Sequence, residues 1–157
     1  MAFLLIVPGA RAGTPTRSTA ARYAHRTFIV QPAGLGKRRF KLNGPRSTVG
    51  AADGSTLTGF PIVLSDSGDG SGQDVLLFHN RHFIGWASST DMLKLSVSRA
   101  GDAIAVNYGD FQDSDAFCCP SSIKTVTYRW QEGRLVADGT PPTVYGRRLE
   151  RLHLARH

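Results

Sequence analysis

Few side chains in this 157-residue chain could do chemistry: two cysteines, five histidines and scattered carboxylates. The cysteines, Cys118 and Cys119, are adjacent and precede Pro120. Consecutive Cα atoms lie ~3.8 Å apart across a trans peptide, short of the roughly 4.4–6.8 Å of ordinary disulfides. Three states are therefore open. The pair forms a vicinal bridge that stiffens the loop or acts as a switch; each thiol faces a different partner; or both are reduced and packed in the core. A thiol nucleophile would need an imidazole beside it, itself held by a third group. His79 and His82 flank a hairpin turn and could approach the cysteine loop, whereas His25, His153 and His157 lie near the ends. Turn histidines are usually just exposed, and neither C-x-x-C spacing nor a βαβ pattern surrounds the pair. No catalytic residue is expected.

Metal and phosphate chemistry fare no better. Zinc needs three or four convergent ligands, which two neighbouring cysteines cannot easily supply. Asp66, Asp69 and Asp74 miss the alternating ligand spacing of a calcium loop. The stretch "GLGK" at 34–37 is too short for a phosphate-binding loop. No metal and no cofactor are expected. Asp110, Asp113 and Asp115 in "GDFQDSDAF" could be paired carboxylates, although in such a loop they serve more often as turn residues. A groove using Trp86, Phe111 and the Asp110–Asp115 loop is the candidate surface for a ligand or partner. Core packing is the default role of the aromatics.

The elements that would position these groups are strands. "DVLLFHNRHFIGWAS" (74–88), "MLKLSVSRAGDAIAVNYGD" (92–110) and "IKTVTYRWQEGRLVAD" (123–138) each read as a hairpin. The first has apolar runs on either side of Asn80-Arg81; in the other two, apolar residues alternate with period two across Gly-bearing turns. Leu93, Leu95 and Val97 share a face, as do Ile104 and Val106; Val126, Tyr128 and Trp130 share another, with Arg129 opposite. "LTGFPIVLS" (57–65) is a further strand, which Pro61 places at an edge or at a strand's start. Six or seven antiparallel strands follow, with one face buried and one wet. The fold class is mainly β: an antiparallel meander forming a curled sheet or a small sandwich or barrel, with poorly structured N- and C-terminal extensions. The alternative is an α+β arrangement with a terminal helix packed on the sheet.

Charge separates the ends from the middle. Residues 1–55 carry nine Lys/Arg against one Asp, residues 56–139 carry six against ten acids, and residues 140–157 carry four against one. The net charge of +7 therefore belongs to the two ends. A mildly acidic body argues against a dedicated nucleic-acid domain, while the basic ends could touch an anionic polymer. Three segments follow: a basic extension 1–55, a β domain 56–142 and a basic tail 143–157. Within the first, "GTPTRSTAARYAHR" (13–26) reads as linker, and "TFIVQ" and "RRFKL" as short strands. Leu149, Leu152 and Leu154 leave the tail open between a short basic helix and a disordered end. "MAFLLIVPGARAG" has the outline of a degenerate or truncated export signal, with the A-x-A form at Ala10 to Ala12 but no basic residue ahead of its apolar run. No run reaches the ~18 apolar residues of a membrane span.

Two stretches carry a family resemblance: "QDVLLFHNRHFIGWASST" and, after an acidic loop, "CCPSSIKTVTYRWQEGRLV". They resemble the LppP/LprE-type lipoproteins of actinobacterial cell envelopes over about residues 57–142. The most specific element is Cys118-Cys119-Pro120-Ser121 followed by Tyr128-Arg129-Trp130 and Gly133-Arg134. The resemblance implies an exported, extracytoplasmic module of the envelope, binding or scaffolding at the cell surface without enzymatic equipment. Its partner would be an envelope protein or polymer. Members of that family usually carry a lipobox cysteine and another cysteine ahead of the first strand, and residues 1–56 here contain neither. The lipid anchor is therefore not carried over. If one paired cysteine normally bridges upstream, the pair here would form a vicinal bond, a free thiol or an intermolecular bridge. The competing class is a thiol-dependent enzyme or redox-responsive protein using Cys118 and Cys119.

Overall fold

The computed structural model describes residues 13–143 and 150–156; the signal-like run, Leu149 and His157 lie outside them. It begins with a helix, α1 (Arg17–Arg26), where the sequence reads as linker. The buried stripe of α1 consists of Ala20 and Ala24, with Tyr23 partly buried beside them. Such small residues give almost no hydropathy signal, although their spacing is helical. Thr16 caps the helix by accepting from the Thr19 N–H at 3.1 Å, and His25 and Arg26 occupy the last turn, where cations oppose the helix dipole.

Ten strands follow before the C-terminal segment. The first sheet holds β1 (Thr27–Val30), β2 (Lys37–Leu42), β3 (Ser47–Gly50), β4 (Thr56–Leu64), β5 (Gln73–His79), β6 (His82–Trp86) and β11 (His153–Leu154). Its order is β11-β1-β2-β4-β5-β6, with β3 also on β4. The second sheet holds β7 (Leu95–Ala100), β8 (Ala103–Asp110), β9 (Ser122–Gln131) and β10 (Arg134–Asp138), ordered β10-β9-β8-β7. All of these pairs are antiparallel. The mainly-β, antiparallel fold class of the sequence reading is thus the fold observed, with the first sheet strongly curled.

Two apolar layers result. One, between the sheets, joins Leu57, Val75 and Leu77 to Ile104, Val106, Tyr108, Val126 and Tyr128. The other lies between the first sheet and α1 and holds Phe40, Phe60, Ile62, Leu64, Leu76 and Phe78. Each such side chain, fully buried, stabilises the fold by roughly 1.5–3 kcal/mol. Strands β4 and β5 are consequently buried on both faces, which corrects the one-face-wet reading; that pattern holds only for outer strands such as β7.

Pro61 is likewise not at an edge. It sits in mid-β4 opposite Val75, where the partner chain on its other side breaks between β2 and β3. Its carbonyl accepts from the Asn43 N–H at 2.8 Å, and its missing N–H faces the break, so no ladder bond is lost. The expectation of poorly structured extensions fails for residues 17–50 and 150–156. Strands β1 to β3 complete the curled sheet. The C-terminal segment pairs with β1 instead of forming a helix, buries Leu152, and receives the Arg26 guanidinium on the Ala155 carbonyl at 2.7 Å. Among the described residues no helix is long and apolar enough to cross a membrane.

Candidate functional site

Cys118 and Cys119 are bonded to each other, with Cα atoms 3.8 Å apart, and no free cysteine remains. Of the three states open from sequence, the structure holds the vicinal bridge. It lies in the loop that carries the chain from β8 to β9, and Asp115 organises that loop. The Asp115 carboxylate accepts from the backbone N–H groups of Gln112 and Ser121, both at 2.8 Å, and from the Ser121 hydroxyl. Those bonds hold its carboxyl below the ordinary carboxylate range. The Cys119 N–H adds a turn by donating to the Ala116 carbonyl at 2.9 Å. Where β8 runs into the loop, a side chain at Gly109 would sit 2.9 Å from Phe111 and 3.1 Å from Pro120, so the loop lies directly on the strand end.

This clamped loop forms one wall of a cleft of about 410 Å³. Leu93, Phe117 and Cys118 supply its apolar lining, and Asp69, Ser71 and Lys94 its polar groups. Phe117 is 65% exposed, and Ile123 at the start of β9 is 60% exposed. Lys94 has no ion partner among the described residues. Asp69 is held ionised: the Ser71 N–H at 2.9 Å and the Ser67 hydroxyl at 2.8 Å depress its pKa.

The other candidate residues are dispersed. Phe111 is buried against Leu93 behind the loop, and the Asp110 carboxylate accepts from the Ser122 hydroxyl at 3.2 Å, tying the ends of β8 and β9 together. Asp113 is exposed on the loop. Trp86 belongs to the other sheet, packed edge-on to Phe83 at 5.5 Å and donating from its indole N–H to the Thr27 hydroxyl at 3.3 Å. The structure does not bring Trp86 and Phe111 together in one apolar cluster. His79 and His82 lie at the far end of the sandwich, where β5 meets β6, and do not approach the cysteines.

Two groupings escaped the sequence reading. Asp74, at the start of β5, is fully buried: its Oδ1 accepts from the N–H groups of Val75 and Ser88, while Oδ2 has no partner among the described residues. Burial pushes its pKa well up, against the pull of those backbone donors, and the Asp91 carboxylate raises it further. The second is a phenol chain, in which the Tyr128 hydroxyl donates to the Ala87 carbonyl at 2.5 Å and lies 3.1 Å from the Tyr108 hydroxyl. The only sequence signal for either was a lone acid inside an apolar strand and two tyrosines at buried parity. Phe117 was equally quiet, legible only as an aromatic next to the cysteine pair. Among the described residues no three His, Cys, Asp or Glu side chains gather as metal ligands.

Fold and site together define an antiparallel β domain with a cleft walled by a disulfide-clamped loop, and a maintained disulfide belongs to oxidising compartments. The chain belongs to the LppP/LprE lipoprotein family, whose model matches residues 53–133. That span contains β4 to β9 and the whole cleft beside Cys118, and membership points to an extracytoplasmic location at the cell envelope. No curated protein and no solved structure matches the chain.

Proposed function

We propose that this protein is a non-enzymatic binding module of the cell envelope, and that it holds the apolar body of an amphiphilic ligand in the cleft beside Cys118. The observation that carries this reading is Phe117. A large aromatic side chain, 65% exposed, stands at the rim of an apolar-lined cleft on a loop that Asp115 and a disulfide keep from collapsing. Exposed aromatics held rigidly in this way are energetically useful chiefly when a partner covers them. The polarisable sulfur of Cys118 adds a second soft contact, and Lys94 and Asp69 offer a donor and an acceptor to a polar head group. A non-enzymatic role is supported by the pairing of both thiols and by the distance of the histidines from them.

The test is a fluorescence titration with the uncharged probe N-phenyl-1-naphthylamine. Saturable enhancement is expected, with affinity falling by about fivefold in Phe117→Ser, the equivalent of one aromatic contact of ~1 kcal/mol. Unchanged affinity in a folded Phe117→Ser protein would overturn the assignment of the cleft.

A further inference from the structure

The end of the sandwich remote from the cysteines carries a second cleft, of about 570 Å³, where the β7–β8 and β9–β10 turns meet the loop after β3. Strand β9 separates the two clefts: it starts beside the cysteine loop at Ser122 and ends at Gln131, about 30 Å away at ~3.3 Å per residue. From the chemistry of this cleft we propose that it binds a neutral saccharide.

Trp130 is the first reason. It is the last inward-facing residue of β9, and its indole lines the cleft. The imidazole of His79, the last residue of β5, stacks on the indole at 3.7 Å with the planes 12° apart. Each ring thus belongs to a different sheet, and the stack holds the indole plane before any ligand arrives. A pyranose ring has an apolar C–H face suited to such a platform, and fixing the platform in advance lowers the ordering cost of binding.

The polar groups are the second reason. Arg129 lines the same cleft, and among the described residues its buried Nε has no hydrogen-bond partner. Asp102 Oδ1 lies 3.8 Å from it, an ion pair too long for a hydrogen bond. Asp102 pairs with it from an open position, its side chain 67% exposed, and can accept a hydrogen bond from a sugar hydroxyl.

Charge decides the class of sugar. Asp53, Asp102 and Glu132 line the cleft against the single guanidinium of Arg129. Asp53 is held ionised by the Ser55 hydroxyl and N–H. Two carboxylates in excess repel phosphates, sulfates and uronic acids, but accept readily from sugar hydroxyls.

The chain has two tryptophans, so Trp86→Phe leaves Trp130 as the one indole reporter. Trp86 sits on the first sheet among Phe83 and Thr27, away from this cleft, and phenylalanine keeps a ring against Phe83 while giving up the bond to Thr27. The Trp86→Phe protein is titrated with maltohexaose, cellohexaose, mannohexaose and chitohexaose, each to about 10 mM, the range of weak single-site affinity. A saturable change in indole emission with at least one of them is expected. Adding Asp102→Asn at an exposed turn should weaken that binding by about tenfold, the scale of one charge-assisted hydrogen bond. Silence with all four sugars overturns the proposal. So does binding undiminished by Asp102→Asn, or tighter binding of an oligogalacturonate than of any neutral hexamer.

Discussion

Asp74→Asn is the substitution whose outcome depends most directly on the physical reading of the core. The Asp74 carboxyl is fully buried, accepts two backbone N–H bonds through Oδ1, and leaves Oδ2 with no partner among the described residues. Burial is the largest influence on it and raises its pKa well above 3.8; the adjacent Asp91 carboxylate pushes the same way. The unfolded chain releases this proton near pH 3.8, whereas the native protein keeps it to higher pH. Throughout that interval the native state binds more protons than the unfolded state, so this group makes stability fall as pH rises, by about 1.4 kcal/mol per pH unit. Below the interval the group is protonated in both states and contributes no slope. Above the folded pKa the loss is complete and the slope vanishes.

Asparagine keeps the acceptor that Val75 and Ser88 use but cannot ionise. Its new amide N–H groups change the intercept, not the pH dependence. The facing groups do not confound the comparison: the Tyr108 phenol is pushed far above its normal range by burial, and the Tyr128 phenol up to about 12, so neither titrates at moderate pH. Asp91 is present in both proteins. Urea unfolding of the two proteins from about pH 4 to about pH 7 should therefore show Asp74→Asn gaining on the parent steadily with pH, at about 1.4 kcal/mol per unit at first. A difference independent of pH, or one favouring the parent as pH rises, would mean that the buried carboxyl is ionised in the native protein.

Three further substitutions test the neighbouring structure. Tyr128→Phe removes the donor to the Ala87 carbonyl and the partner of the Tyr108 hydroxyl, so it should cost about 1–3 kcal/mol in thermal or urea unfolding, more than Tyr108→Phe, which leaves the bond to Ala87 in place. The double substitution Cys118→Ser/Cys119→Ser should shift global unfolding by less than about 1 kcal/mol, because a bridge between neighbours closes no loop in the unfolded chain, while limited proteolysis within 112–121 should accelerate. Gly72→Ala should cost about 1–3 kcal/mol, since the residue has φ +69° and a methyl there would collide with the Leu64 side chain; Gly68→Ala, which meets open space, should stay within about 0.5 kcal/mol.

What the sequence disclosed followed from periodicity. The hairpins β7–β8 and β9–β10 alternate, and their registers, such as Val97 opposite Val106 and Leu135 opposite Trp130, are those that alternation demands; β5 is apolar on both faces and its pairing with β6 slips between Leu77 and Phe78. Strand β4 hid its role because both its faces are apolar, so neither a wet side nor a neighbour could be read from it. Helix α1 hid because its core-facing residues are alanines among arginines. The site was legible in part. Adjacent cysteines and a string of aspartates marked the loop, and Asp115 acts in it as the turn residue that aspartates in such a loop more often are. Nothing local marks Leu93, Asp69 and Phe117 as neighbours, because the cleft forms only when two loops at one end of the sandwich meet.

The boundary of the family match has a structural meaning. Residues 53–133 supply β4 to β9, hence the inter-sheet core and both clefts almost entire. Yet β4 and β5 within that span present Phe60, Ile62, Leu64, Leu76 and Phe78 on the face turned away from the second sheet. Left open to water, that face would be a continuous apolar patch of the kind that drives aggregation. Residues outside the match cover it: α1 through Ala20 and Ala24, the strands ahead of β4 through Ile29 and Phe40, and the C-terminal segment through Leu152. A few apolar side chains per segment make this cover, so the remaining positions of each segment are left to be polar or basic. The basic composition of these segments therefore says little about a polyanionic partner, since the same arginines are spent within the fold. Arg26 binds the Ala155 carbonyl, Arg38 pairs with Asp66 at 2.8 Å, and Arg46 donates to the Pro15 carbonyl. Among the described residues, the charge of these segments is largely the solvated side of a covering layer.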